Sequence, residues 1–226
     1  MSLKNRKYIV TAGPTREWID PIRFISNPSS GKMGIACARA AYSCGFETVL
    51  IHGPIDKSLV ADIPFRSVGV ETTADMLHAV QSELCSGAVL IMAAAPADYK
   101  AKQIAPVKLK KGSDSITIDF IKNPDILETI SRLSESDAHF NGIILVGFAA
   151  ETNDVETYAL EKLKRKKLDM ICVNNVAEPG AGFGVDTNHI IVFNSDGNRT
   201  DIATASKDSV AETIIMLIQK IAAKRE

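Results

Sequence analysis

The chain has no Cys-x-x-Cys pair and no His-Glu-x-x-His run, although it carries four cysteines and four histidines. Cys37, Cys44, Cys85 and Cys172 lie far apart, which suits reduced thiols in a cytosol. The histidines are equally scattered, which argues against a metal site built by the protein alone. Charge of one sign is also missing. The net charge is −1, so no overall basic field attracts nucleic acid. The longest uncharged apolar stretch, Ala88 to Ala97, is about half of what a membrane span needs. The N-terminus has no signal-peptide pattern, so a cytoplasmic location is expected.

What the chain does have is enough apolar residue, 46% of 226, to bury a large core. Apolar runs alternate with helical periods. Tyr8–Thr11, Thr48–Ile51, Phe65–Val68, Ala88–Ala93, Ile143–Val146 and Met170–Val173 read as buried strands. Helices are expected from about Ser29 to Cys44, Thr73 to Cys85, near 126, Asp154 to Lys167 and Ser206 to Ala223. Strand–helix alternation predicts an α/β fold with a doubly wound, mainly parallel, Rossmann-like sheet. Two segments depart from it. Residues 96–121 carry no helix and read as an extended β flap, with a Gly112–Asp114 turn before the alternating Ser115–Asp119. His189–Phe193 and Thr200–Ala203, joined by the Ser195–Asn198 turn, read as a C-terminal antiparallel hairpin. With neither repeat nor low-complexity linker, residues 1–226 read as a single domain with a flap.

Ser26-Asn-Pro-Ser-Ser-Gly-Lys-Met-Gly34 is half of two phosphate loops. A Walker-type loop needs Gly at 26 and a hydroxyl at 33, and the chain has Ser26 and Met33. Ser29-x-Gly31-x-x-Gly34 differs from the dinucleotide fingerprint only in its first glycine, yet about fifteen residues separate it from the strand it should follow. From these residues alone, an anion loop and an ordinary capped helix start are both open.

Ligands of open α/β sheets bind beyond the carboxyl ends of the strands. The unusual polar clusters fall at such ends: Thr11 to Arg23, Ala94 to Tyr99, Lys108 to Lys111, Lys122 to Asp125, and Gly147 to Asn153. Lys162 and Lys166, four apart on one helix face, read by themselves as a solvated face near a helix C-terminus. Tyr158-x-x-x-Lys162 has the spacing of a short-chain dehydrogenase pair, so the alternative function is an NAD(P)-dependent oxidoreductase of that type. That class also needs a glycine-rich turn directly after strand one, where Gly13-Pro-Thr-Arg-Glu17 stands, and an acid after strand two, where His52-Gly53 stands.

Taken in order, these clusters resemble the phosphopantothenoylcysteine synthetase (phosphopantothenate–cysteine ligase) family, in its bacterial CTP-dependent form. The motifs are Thr15-Arg-Glu-x-Ile-Asp-Pro-Ile-Arg-Phe-Ile-Ser-Asn27, Ser29-Ser-Gly-Lys-Met-Gly34, Ala94-Ala-x-Ala-Asp-Tyr99, Lys108-Leu-Lys-Lys111, Lys122-Asn-Pro-Asp-Ile126 and Val146-Gly-Phe-Ala-Ala-Glu-Thr152. The resemblance implies a cytoplasmic homodimer that joins 4′-phosphopantothenate to cysteine through an acyl-cytidylate. CTP is the co-substrate, and Mg²⁺ rides on its phosphates rather than on protein ligands. It implies that Asn27 and Lys108 are catalytic, Asn27 on the acyl-cytidylate and Lys108 on the triphosphate. Ala94, Asp98, Lys108, Asn123, Pro124, Asp125, Ile126, Phe148, Lys162 and Lys166 would bind CTP. Arg23, Ser29, Ser30 and Gly31 would form the substrate and phosphate loop. Pro14, Trp18 and Pro96 depart from the usual family residues, Pro14 removing one backbone donor. A flavin-dependent decarboxylase half, common in bacterial members, is not in this sequence.

Overall fold

The computed structural model describes residues 6–110, 115–151, 154–175 and 184–225. In chain order these hold β1 (Lys7–Ala12), β2 (Arg16–Asp20), β3 (Arg23–Ser26), α1 (Lys32–Ser43), β4 (Glu47–His52) and β5 (Arg66–Gly69). Then come α2 (Thr73–Glu83), β6 (Val89–Met92), β7 (Tyr99–Ala101), β8 (Phe120–Lys122), α3 (Ile126–Ser136) and β9 (Ile144–Glu151). The chain continues with α4 (Val155–Arg165), β10 (Met170–Asn175), β11 (Thr187–Asn194), β12 (Arg199–Ser206) and α5 (Lys207–Ala223). Among the described residues no helix is long and apolar enough to cross a membrane.

Eight strands form one sheet in the order β12-β11-β10-β9-β6-β1-β4-β5. All pairs are parallel except β10–β11 and β11–β12. The α/β expectation is met, including the antiparallel hairpin. Successive side chains of a strand point to opposite faces, so each central strand feeds two cores. Tyr8, Val10 and Ala12 pack under α1 and α5 with Ile35, Cys37, Ile214 and Ile218. Ile9, Val49, Leu90 and Leu145 pack under α2, α3 and α4 with Met76, Ile130, Ala159 and Leu163. Strand order reverses at β1, which lies between β4 and β6, and this reversal opens a crevice at the carboxyl ends.

Three local expectations are corrected. The stretch after β1 is not only a polar loop: β2 and β3 form a ribbon with Trp18 opposite Phe24, their rings 5.3 Å apart. Its apolar residues stay half-exposed, so the burial pattern that marks strands is weak there. The 96–121 segment does pair as a hairpin, but the returning strand is Phe120–Lys122 against Tyr99–Ala101, not Ser115–Asp119. The turn expected at Gly112–Asp114 lies outside the described residues. Strand β9 runs on past Val146 to Glu151, because β10 pairs with it from Val146 to Glu151. Gly147 belongs to that strand, where a Cβ would stand 2.8 Å from Leu168 Cδ1.

Candidate active site

The crevice is a cleft of about 870 Å³ at the carboxyl edge of the sheet. Its walls come from segments far apart in the chain, so local geometry must be read segment by segment.

The loop from Asn27 to Gly31 ends in Gly31, the N-cap of α1, with φ 79°. Glycine is needed here twice over. The left-handed conformation disfavours a Cβ, and a Cβ would meet Ile55 Cγ2 at 3.0 Å and Gly13 N at 3.3 Å. No side chain caps α1, contrary to a Ser-capped start, and the helix begins at Lys32 rather than Ser29. The first amides of an uncapped helix are unsatisfied donors at the positive end of its dipole.

The Ala94–Asp98 segment is pinned from β1. Ala94 N donates to Thr11 Oγ1 (3.1 Å) and Ala95 N to Gly13 O (2.9 Å). Thr15 Oγ1 accepts from Ala97 N (2.9 Å) and lies 2.9 Å from Thr73 Oγ1, the first residue of α2. Asn123 joins the same hub, donating from Nδ2 to Ala97 O (2.9 Å), while its own amide donates to Asp98 O (2.8 Å). The Asn123–Ile126 turn is thus fixed by backbone and hydroxyl contacts. Asp125 caps α3 through Glu128 N (3.1 Å) and holds the Lys166 ammonium at 2.7 Å.

Asn27 Nδ2 donates to Ala95 O (3.2 Å) and Pro96 O (3.1 Å). Two carbonyl oxygens fix which end of the carboxamide is nitrogen, and both amide protons are engaged. Donation to a substrate carbonyl therefore requires that these bonds exchange when substrate enters.

Of the residues expected at a site, the structure gathers Asn27, Ser29, Ser30, Gly31, Ala94, Asp98, Asn123, Pro124, Asp125, Ile126, Phe148, Lys162 and Lys166 around this one cleft. Lys108 and Arg23 do not line it. They stand on the two hairpins, where Lys108 is exposed and Arg23 donates to Leu109 O at 3.2 Å. Tyr158 does not line the cleft either, and is 45% exposed, whereas Lys162 does line it. The dehydrogenase pair is split. Of the two positions where that class would place its acid, 53 has no room for a side chain: a Cβ on Gly53 would lie 1.6 Å from Pro14 O.

Besides the Arg23–Leu109 contact and Ala105 N donating to Ile19 O (2.9 Å), a carboxylate ties the hairpins. Asp20 is buried and accepts from Ile22 N (2.9 Å), Arg23 N (2.9 Å) and Leu109 N (3.2 Å). Burial pushes its pKa up, but these three amides and the Arg23 charge outweigh that and hold it below the usual carboxylate range. A depressed pKa contributes stability that is present above the unfolded value, about 3.9, and is lost as pH falls through the folded one. The tie therefore persists at neutral pH and opens only in strong acid. Asp20→Asn keeps an acceptor but removes the charge. Amide exchange at Arg23 and Leu109 should then speed up at least about tenfold at pH 7, with the sheet unaffected. Unchanged exchange at both amides would show that the loop is held by other contacts.

The cleft also takes in Lys32, Thr73, Arg165, Asn174, Asn188 and Lys207, which sequence reasoning missed as site residues. Lys207 gave one usable signal: a cation at the first position of a helix, where the dipole disfavours it. Asn188 gave none, because its place depends on an irregularity in β11.

Comparison with known proteins gives the family of the chain. The family model for the DNA/pantothenate metabolism flavoprotein C-terminal domain matches residues 3–222. The coenzyme A biosynthesis bifunctional protein CoaBC of Vibrio cholerae is 41% identical over 220 residues, covering 96% of this chain and 53% of that protein. The CoaBC of Bacillus subtilis is 41% identical over 225 residues, covering 98% of this chain and 52% of that one. The chain thus spans about half the length of the curated relatives it matches. A crystal structure of the C-terminal domain of CoaBC superposes with a TM-score of 0.76 at 34% identity, covering 99% of this chain and all of that one. A matched family model over nearly the whole chain and relatives above 40% identity make the assignment firm: the chain belongs to the DNA/pantothenate metabolism flavoprotein C-terminal domain family.

Proposed function

We propose that the chain is a phosphopantothenate–cysteine ligase of coenzyme A biosynthesis, acting as one domain with residues 96–121 as its flap. The observation that carries the reading is the cleft itself, where an uncapped helix N-terminus, Asn27 and the Lys162/Lys166 face converge on one space. Relatives named for coenzyme A biosynthesis support a reaction of that pathway in this space.

The chemistry suits such a site. A carboxylate is a poor acyl donor to an amine, so it first attacks the α-phosphate of CTP, and pyrophosphate leaves. The amine of cysteine then adds to the acyl-cytidylate, and CMP leaves. Catalysis consists of placing two anions together and neutralising the charge that builds up. Lys162 and Lys166 supply cations, with Asp125 orienting Lys166. The amides of α1 supply donors. Asn27 serves the acyl carbonyl once its bonds to Ala95 and Pro96 exchange. A magnesium ion would come with the triphosphate. It would supply charge neutralisation on the phosphates.

A cytoplasmic homodimer goes with this reading. Exposed Ile104, Val107, Phe120 and Ile121 give the flap an apolar face for a second copy. A monomeric mass by light scattering at micromolar concentration would overturn it.

The test is nucleotide choice. Cytosine is one ring with an amino donor beside two acceptors, and a pocket built on those groups leaves its own polar atoms unpaired when another base enters. Such sites discriminate by about 10⁴ or more, against far less for shape alone. Pyrophosphate release that needs both phosphopantothenate and CTP is expected, with ATP and UTP poor at equal, subsaturating concentration. Comparable rates with ATP would refute the CTP assignment. Release that ignores phosphopantothenate would refute the ligase.

A further inference from the structure

The cleft has a second basic pole, on the opposite face of the sheet from Lys162 and Lys166. Lys32 and Lys207 are the first residues of α1 and α5, the two helices that share one core. Each ammonium thus sits at the positive end of a helix dipole, the place least favourable to a cation. Both reach the same short segment. Lys32 Nζ lies 2.6 Å from Asp186 Oδ1, and Lys207 Nζ donates to Val185 O. Two ammoniums and two helix ends meet one carboxylate, and that carboxylate is 85% exposed, so solvent screens it.

Lys207 is only 7% exposed, though it lines the cleft. Burial pushes its pKa down, Lys32 pushes the same way, and Asp186 opposes them. A buried cation with that balance favours an anion beside it. An independent sign is Asn188, 3% exposed and also lining the cleft. Its Oδ1 accepts from His189 N at 3.1 Å, which orients the carboxamide. Among the described residues its Nδ2 meets only the Met33 sulfur, at 3.7 Å, and a thioether is a weak acceptor. The shift in pairing register between Asn188 and Ile190 sets it there, as bulges do when they re-aim a side chain. A buried amide donor without an oxygen partner costs free energy unless a ligand satisfies it.

We propose that Lys207, Lys32 and Asn188 form a phosphate-holding pole of the cleft, taking a terminal phosphate dianion of one of the substrates. This deepens the ligase reading and rests on it for the identity of the substrates. A reaction between two phosphorylated reactants needs both anions held apart at their far ends while their reactive groups meet. Poles on the two faces of the sheet edge would do that. The phosphate could belong to the nucleotide tail or to the acyl substrate.

The experiment compares wild type with Lys207→Gln, Lys207→Arg and Asn188→Leu in the whole chain. Calorimetric titration with inorganic pyrophosphate and inorganic phosphate is run beside separate KM measurements for CTP and phosphopantothenate. Lys207→Gln should weaken anion binding about tenfold to a hundredfold, with Lys207→Arg retaining most of it. A KM rise for CTP with loss of pyrophosphate binding assigns the pole to the nucleotide tail. A rise for phosphopantothenate with loss of phosphate binding assigns it to the acyl substrate. Lower melting temperature or kcat with both KM values and both titrations unchanged would make Lys207 structural and overturn the pole. Wild-type protein that binds neither anion at millimolar concentration would also overturn it. A wild type that binds pyrophosphate yet releases none from any nucleotide would sink the ligase reading and leave the pole standing.

Discussion

Gly34→Ala should lower the melting temperature by roughly 5–15 °C and remove nearly all turnover. A Cβ built at this position stands 2.5 Å from Thr11 O, 2.7 Å from Ala12 Cβ and 3.0 Å from Ala12 Cα. Those atoms belong to β1 at the centre of the sheet, so they cannot swing aside as a side-chain tip would. Helix α1 must instead move off the strand. That strains the contacts of Ile35, Cys37 and Ala38 and costs about 2–4 kcal/mol, at or above the usual range for overpacking. The shift also displaces the amides of α1 from the cleft, which links the packing fault to function. Thermal unfolding followed by circular dichroism reads the first effect and pyrophosphate release the second. A variant with wild-type melting and wild-type release would mean that α1 has more room than the structure gives it.

The second large effect is expected at Lys108 and should leave stability alone. The side chain is exposed on the loop tied down through Leu109, so Lys108→Gln removes a charge without touching a core. If this ammonium neutralises the triphosphate as it is attacked, pyrophosphate release should fall about 10²–10³-fold, the usual cost of one aimed donor. Binding of phosphopantothenate should change far less. Near-normal release by the folded variant would reduce the lysine-rich piece to a solvated loop. Lys108 does not line the cleft, so a role on the triphosphate would require the flap to close over it or to serve a second copy, and mixing Lys108→Gln with Asn27→Asp subunits separates the two. Activity regained in the mixture marks service across subunits; its absence marks closure within one chain.

The sheet was legible because its central strands are apolar on both faces. Tyr8–Thr11, Thr48–Ile51 and Met170–Val173 are nearly the observed β1, β4 and β10. Helix starts read well where a side chain caps them, as Thr72, Asp125 and Ser206 do. What failed depended on partners far along the chain. The β2–β3 ribbon buries Glu17 and Asp20 rather than apolar residues, so no apolar face gives it a period. The extra length of β9 comes from β10, not from its own residues. Most expected site residues fall around one cleft because motifs of a shared family sit at strand ends. Lys207 and Asn188 lay outside any motif, and Asn188 is aimed by pairing irregularity rather than by residue type.

The pairing of α1 with α5 has a consequence during synthesis. Ile35, Ala38 and Ala41 of α1 share their core with Ile214, Ile218 and Ala222 of α5. Between the end of α1 at Ser43 and the end of α5 at Ala223, translation takes roughly ten to thirty-five seconds at about 5–20 residues per second. Throughout that interval one flank of the nascent sheet is bare, and the newest strands, β11 and β12, emerge last of all. The cleft, drawing on residues from Asn27 to Lys207, cannot exist before this closure. A ribosome-stalled chain ending before Lys207 should therefore be held by a chaperone that grips exposed aliphatic stretches, and one extended past Ala223 by a tunnel-length linker should be released.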